Sequence, residues 1–273
     1  MSETIVRTST VAGQFYPSTA AGLKKEIAAL CTSPQSKREV IACMVPHAGY
    51  MYSGAVAVAT IQNLVIKDTV ILLGPNHTGR GAPYSIMQEG LWQTPLGEVK
   101  INTALTTELL ANSSYLKNDS LAHAHEHSLE VELPILQYFR PEFKIVPIAF
   151  LSDDVPSLKK TGREIAFVIK ESPERNSIML LASSDMTHYE PQKEASRKDH
   201  EAIRSILALD EDALAEKITR NHISMCGYAP CIVMLAAAKA LGARHAELIK
   251  YLTSGDVTGD TESVVGYAGV TIW

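Results

Sequence analysis

Three short apolar runs, each rich in β-branched or long aliphatic residues and each ending in a histidine-bearing loop, constrain this chain most. Val40-Ile-Ala-Cys-Met-Val45 has the length and composition of a buried strand, and Pro46-His47-Ala-Gly49 follows it. Pro46 has no N–H to give to a sheet ladder, so the strand should stop there and leave His47 at its C-terminal tip. Thr69-Val-Ile-Leu-Leu-Gly74 runs into Pro75-Asn-His77, and Ser177-Ile-Met-Leu-Leu-Ala-Ser183 runs into Ser184-Asp185-Met-Thr-His188. In open α/β sheets the carboxyl ends of the strands are where ligands bind. One such histidine is more often structural than functional. Three strand ends carrying the same arrangement are not readily given by chance scatter of nine histidines. Imidazoles and a carboxylate meeting on one sheet edge are what a first-row metal needs.

The 273 residues allow one large α/β domain or two small ones, and a hydrophobic content of 46% provides for a sizeable core. A net charge of −5 argues against a nucleic-acid surface, which needs a basic stripe. No apolar stretch reaches the roughly 18 residues of a membrane span. The N-terminal Met-Ser-Glu-Thr-Ile-Val-Arg lacks the apolar segment of a signal peptide, so a cytoplasmic location is expected. Four unevenly spaced cysteines then read as reduced thiols available to metal.

In chain order, Val11 to Ser18 is a turn-rich opening whose aromatics are expected to cover a core edge. Ser18 is the expected cap of a helix over 19–31, and the small residues of 53–65 suggest a second helix against the sheet. Residues 84–102 read as a hairpin excursion with Trp92 to Gly97 as its turn, and a helix is expected over 103–112. In His123-Ala-His125-Glu126-His127-Ser-Leu-Glu130, the first two histidines are expected in solvated loop. His127 and Glu130, near one helical turn apart, are the better functional candidates, with Pro134 expected to kink the helix that follows. Pro147 hints that 143–150 is an edge strand. Helices are expected near 154–171, 192–208 and 210–219, and the last of these precedes Met225-Cys226-Gly227 and a helix from Cys231 apolar nearly all round. Cys226 stands at that helix's N-terminus, where the dipole is expected to lower a thiol's pKa. Two closing strands, 248–252 and 264–273, flank a polar loop that could bind an anion but lacks a P-loop lysine.

Pro-His47-Ala-Gly-Tyr, Gly-Pro-Asn-His77, Glu126-His127-Ser-Leu-Glu130, Ser-Ser-Asp185-Met-Thr-His188 and Met-Cys226-Gly together resemble the Memo family, also called AmmeMemoRadiSam system protein B in bacteria and archaea. The resemblance runs from Ala12-Gly13-Gln-Phe-Tyr to the final strand, and so covers residues 1–273 as one domain. It implies a single α/β domain with a mixed central sheet flanked by helices, similar to the class III extradiol ring-cleaving dioxygenases, which use non-haem Fe(II). The family's metal positions fall on His47, His77 and Cys226, with Asp185 and His188 lining the same pocket as candidate catalytic groups. His127 and Glu130 are expected to orient a ligand without touching metal. The dioxygenases complete two histidines with a carboxylate, whereas here the third group is a thiol. A thiolate is softer and moves preference toward Cu(I), Zn or a more covalent Fe(II) site.

The leading expectation is a non-haem metal-dependent oxidoreductase of dioxygenase ancestry, Fe(II) favoured, with a small molecule or peptide as its partner. A peptide- or anion-binding module using the same pocket is the alternative from another class. A zinc hydrolase, with Asp185 or His188 as base toward metal-bound water, is the third.

Overall fold

The computed structural model describes residues 4–33 and 36–273; the first three residues of the N-terminal heptapeptide therefore lie outside it. β1 (Val6–Arg7) and α1 (Ala20–Leu30) lead to β2 (Ala42–Val45) and α2 (Tyr50–Ile61). β3 (Thr69–Pro75) is followed by β4 (Tyr84–Ile86), β5 (Leu91–Thr94), β6 (Gly97–Ile101), α3 (Thr103–Asn112) and β7 (Lys117–Asn118). α4 (Glu132–Phe139), β8 (Lys144–Phe150), α5 (Val155–Glu171) and β9 (Ile178–Ser183) come next. The chain closes with β10 (His188–Glu190), α6 (Gln192–Leu207), α7 (Glu211–Arg220), α8 (Tyr228–Leu241), β11 (Ala246–Thr253), α9 (Ser254–Thr258) and β12 (Val264–Ile272).

These strands build one mixed sheet in the order β1-β5-β6-β8-β3-β9-β2-β12-β10, with β11 also on β12. Its centre, β8-β3-β9-β2, is parallel, and β12 joins β2 antiparallel. Side chains alternate between two cores, as the period of a strand requires. Ala42, Met44, Ile71, Leu73, Leu180 and Ala182 face a layer that includes α5 and α8. Cys43, Val45, Val70, Leu72, Met179 and Leu181 face α1, α2 and α4. The helix expected to be apolar all round is α8, and its residues Ala229 to Ala238 are all buried. No helix among the described residues is long and apolar enough to cross a membrane.

Several local expectations are corrected. Thr19, not Ser18, caps α1, its hydroxyl accepting from Gly22 N at 3.3 Å. α2 begins at Tyr50, directly after the histidine loop, because Tyr50 N is held by Phe15 O at 2.8 Å. Trp92 lies in β5 and is fully buried; the turn is the shorter Thr94–Gly97 link, and both β4 and β6 join the main sheet through β8. β8 is internal. Pro147 is tolerated there because it falls between the stretch of β8 paired with β6, at 144–145, and the stretch paired with β4, at 148–150. Pro134 occupies the first turn of α4, where its missing N–H has no helical partner to lose, so the expected kink is absent. The polar loop expected to offer N–H groups to an anion forms α9, whose Thr253 and Asp256 close a capping box on each other's backbone.

Gly162 on α5 lies close against the backbone of α8. A Cβ there would lie 2.5 Å from Val233 O and 2.8 Å from Ala236 Cβ. Helix propensity alone favours Gly→Ala by about 1 kcal/mol, but overpacking costs about 1–3 kcal/mol. Gly162→Ala is therefore expected to lower the denaturant midpoint; a rise would show that α5 and α8 separate freely.

Candidate functional site

β3, β9 and β2 are neighbours in register, Leu73 beside Ala182 and Val45 beside Ser183, so their C-terminal tips share one edge. His47, His77 and Asp185 are delivered there by the loops after β2, β3 and β9, and His188 by the start of β10, which pairs with β12. Cys226 approaches in the loop that opens α8. Gly227 allows this approach: a Cβ there would lie 2.4 Å from both Ser183 O and Ser184 Cβ, and its N–H instead donates to Ser184 Oγ at 3.0 Å.

One donor atom from each of His47, His77 and Cys226 lies within 4.8 Å of the other two. Cys226 Sγ is 3.3 Å from His47 Nε2. His127 completes a histidine cluster, its ring stacked on His77 with centroids 4.8 Å apart and 5.6 Å from that of His47. His77, Glu126 and His127 form a second group of donor atoms at the same spacing.

Each ring is fixed from behind. His47 Nδ1 meets Ser183 Oγ at 2.7 Å, and His77 Nδ1 meets Glu126 Oε1 at 2.9 Å. Glu126 also accepts from the backbone N–H groups of His77 and Ser128, and its Oε1 is 3.5 Å from His127 Nδ1. Burial acts to raise the Glu126 carboxyl, but His77, the Ser128 N–H and His127 outweigh it and hold it at about 2. Burial acts to lower His77, and the same Glu126 contact reverses that and raises it. Burial and the neighbouring imidazoles push His47 well below its ordinary value, so its ring is neutral.

Asp185 Oδ1 accepts from His47 N at 2.8 Å and Ala48 N at 3.3 Å. Burial raises its carboxyl to about 6 despite those bonds. His188 Nδ1 lies 2.9 Å from Ser224 O, an acceptor, so that nitrogen carries a hydrogen. These groups line a cavity of about 560 Å³ whose other walls include Phe15, Met51, Tyr52, Tyr189 and Tyr267. Phe15, expected to cover a core edge with a binding role as the lesser alternative, sits edge-on to His127 at 4.9 Å. Tyr189 holds a left-handed φ of 59° and stands 77% exposed at the rim.

Sequence reasoning singled out the wrong glutamate in this loop. Glu130 turns its carboxylate to Arg7, Thr10, Val11 and Tyr16, tying down the N-terminal segment, while Glu126 is the one that reaches a ring nitrogen. His125 is exposed as expected, but His123 is fully buried against Trp92, and burial lowers it to about 4. The Cys226 thiol is corrected too. It is half-buried, and burial together with Asp185 pushes it well above its ordinary value, so the helix terminus does not win. Ser183 was legible only as the last residue of a strand.

The fold and the site define a mixed-sheet α/β protein with a histidine–cysteine cluster at the C-terminal edge of its parallel strands. The model of the Memo-like proteins matches residues 7–271. A MEMO1 family protein of Methanopyrus kandleri is 41% identical over 285 residues, spanning 97% of this chain and 98% of its own length. Those of Methanosarcina mazei and Aquifex aeolicus are each 42% identical, covering 98% and 97% of this chain and 99% and 98% of their own. The chain belongs to the Memo-like family. Among solved structures, an uncharacterised protein of Escherichia coli K12 shares the fold, with a TM-score of 0.55 at 14% identity over 83% of this chain and 98% of that one.

Proposed function

We propose that this chain, acting as one unit over residues 1–273, is a metal-dependent oxidoreductase of extradiol-dioxygenase ancestry. His47, His77 and Cys226 would hold one first-row metal, Fe(II) before Cu(I) or Zn. The observation that carries this reading is the convergence of their three donor atoms within 4.8 Å at the floor of an open cavity. Two neutral-capable imidazoles and a thiol suit a soft or borderline ion, and Ser183 and Glu126 behind the rings are the kind of partner that orients metal-bound histidines. When bound, the metal would supply Lewis-acid and redox chemistry at the cavity floor.

The chain's own groups support proton handling there. Asp185, with its carboxyl at about 6, is divided between acid and base near neutrality, which suits a general acid–base group. His188 lines the same cavity, its Nδ1–H being committed to Ser224 O. A cavity of about 560 Å³ with aromatic walls takes a small organic molecule. All four cysteines are free, which fits a reducing compartment such as the cytoplasm.

Metal analysis of untagged protein purified without oxygen tests the reading, followed by oxygen-uptake assays on catechols. Stoichiometric iron with substrate-dependent oxygen uptake is the expected result. Reproducibly metal-free protein that takes up none would move the assignment to a peptide- or anion-binding module.

A further inference from the structure

Behind His47 lies a buried carboxyl that the proposed chemistry does not use. Glu132 opens α4, is fully shielded from solvent, and forms no ion pair among the described residues. Its Oε1 is 3.0 Å from Ser183 Oγ, and its Oε2 has no hydrogen-bond partner among the described residues. Ser183 Oγ has two further neighbours, His47 Nδ1 at 2.7 Å and Ser128 O at 2.8 Å.

Counting hydrogens decides the arrangement. A serine hydroxyl has one hydrogen and two lone pairs. Ser128 O is a carbonyl and can only accept, so Ser183 spends its hydrogen there. The contacts to His47 and Glu132 are then both hydrogen bonds only if both partners donate to the Ser183 lone pairs. An ionised Glu132 would compete with Ser128 O for the single hydrogen and leave a charged, unpartnered Oε2 in the core, which is strongly unfavourable.

We propose that Glu132 and Ser183 are positioning residues that fix the tautomer of His47. Glu132 stands as a neutral carboxylic acid donating to Ser183, and Ser183 holds His47 with hydrogen on Nδ1 and the lone pair on Nε2. Burial and the charge of Asp185 push the Glu132 carboxyl well above the usual carboxylate range, in the same direction. The consequence lies on the other side of the ring. Nε2, the nitrogen 3.3 Å from Cys226 Sγ, is presented unprotonated, ready to accept the thiol hydrogen or to ligate an ion. That last role rests on the proposed metal site; the hydrogen-bond chain itself does not.

The test uses full-length, metal-free protein at neutral pH. Infrared spectroscopy should show a protonated-carboxyl C=O stretch that shifts in D2O, persists into mildly alkaline solution and disappears in Glu132→Gln. Its loss in Glu132→Gln separates it from the carboxyl of Asp185. Nitrogen NMR should report His47 with hydrogen on Nδ1. A glutamine amide can still donate to Ser183, so Glu132→Gln should keep zinc affinity near wild type, whereas Ser183→Ala should lose about 10–100-fold. Absence of the band, or hydrogen on Nε2, overturns the proposal even if no variant folds. So does a Glu132→Gln variant that loses as much affinity as Ser183→Ala. If the band and tautomer are present but zinc does not bind, the metal reading fails and this arrangement stands.

Discussion

Replacing Cys226 by Ser is expected to abolish tight metal binding while leaving the fold in place. A serine hydroxyl is not ionised at neutral pH and replaces a thiolate poorly for a borderline or soft ion. The loss should exceed the 10–100-fold seen when an orienting partner is removed. Stability should change by less than about 1 kcal/mol, because the side chain is half-buried and its backbone contact, to Asp185 O at 3.6 Å, is weak. The pH dependence gives an independent check. Burial and Asp185 raise the thiol's pKa, so without metal it is protonated through the neutral range. Metal must displace that proton, and apparent affinity should climb with pH by up to about tenfold per unit below the thiol pKa. Cys226→Ser should flatten this slope. Calorimetric zinc titrations in buffers of different ionisation heat read both the affinity and the proton released. The same slope in the variant would remove Cys226 from the ligand set.

The central sheet was legible because its strands are short, apolar and flanked by proline or glycine, and burial of β2, β3 and β9 on both faces leaves no other reading. His47, His77 and Asp185 followed from that, since a residue just past a buried parallel strand has one edge to go to. Helical spacing paired His127 with Glu130, but the chain is not helical at Glu126 and enters α4 only at Glu132. Glu130 is drawn to Arg7, 123 residues away, and Glu126 is left to reach the His77 ring, a division no local pattern encodes. Pro147 and His123 misled for the same reason. One is excused by a change of neighbouring strand, and the other is buried under Trp92 from a distant hairpin. The dipole argument for Cys226 failed because it weighs one helix end and ignores the desolvation of a thiol beside Asp185.

Glu126→Ala should lower both stability and metal affinity. The wild-type carboxylate is buried, bonded to His77 through both ring and backbone, and accepts from Ser128 N at 2.8 Å. Its carboxyl is held at about 2 against an ordinary 4.5, which linkage converts to about 3 kcal/mol of stability at neutral pH. The raised His77 is the same interaction seen from the other partner and is not added to it. The sign follows from both partners: the contribution is complete above the unfolded carboxyl value of 4.5 while His77 is charged, fades as pH falls toward about 2, and loses its ion-pair part as pH rises through the raised His77. Denaturant melts of metal-free wild type and Glu126→Ala should therefore differ by about 3 kcal/mol at neutral pH and converge as the pH falls through that window. A gap that stays constant into acid would mean that the variant only leaves a cavity and that the charge carries nothing. With the carboxylate gone, His77 loses the acceptor that fixes its ring, and His127 loses its nearest anion. Zinc affinity should then fall by about 10–100-fold, whereas Glu130→Ala, acting on the Arg7 contact, should leave zinc affinity nearly unchanged in whatever fraction remains folded.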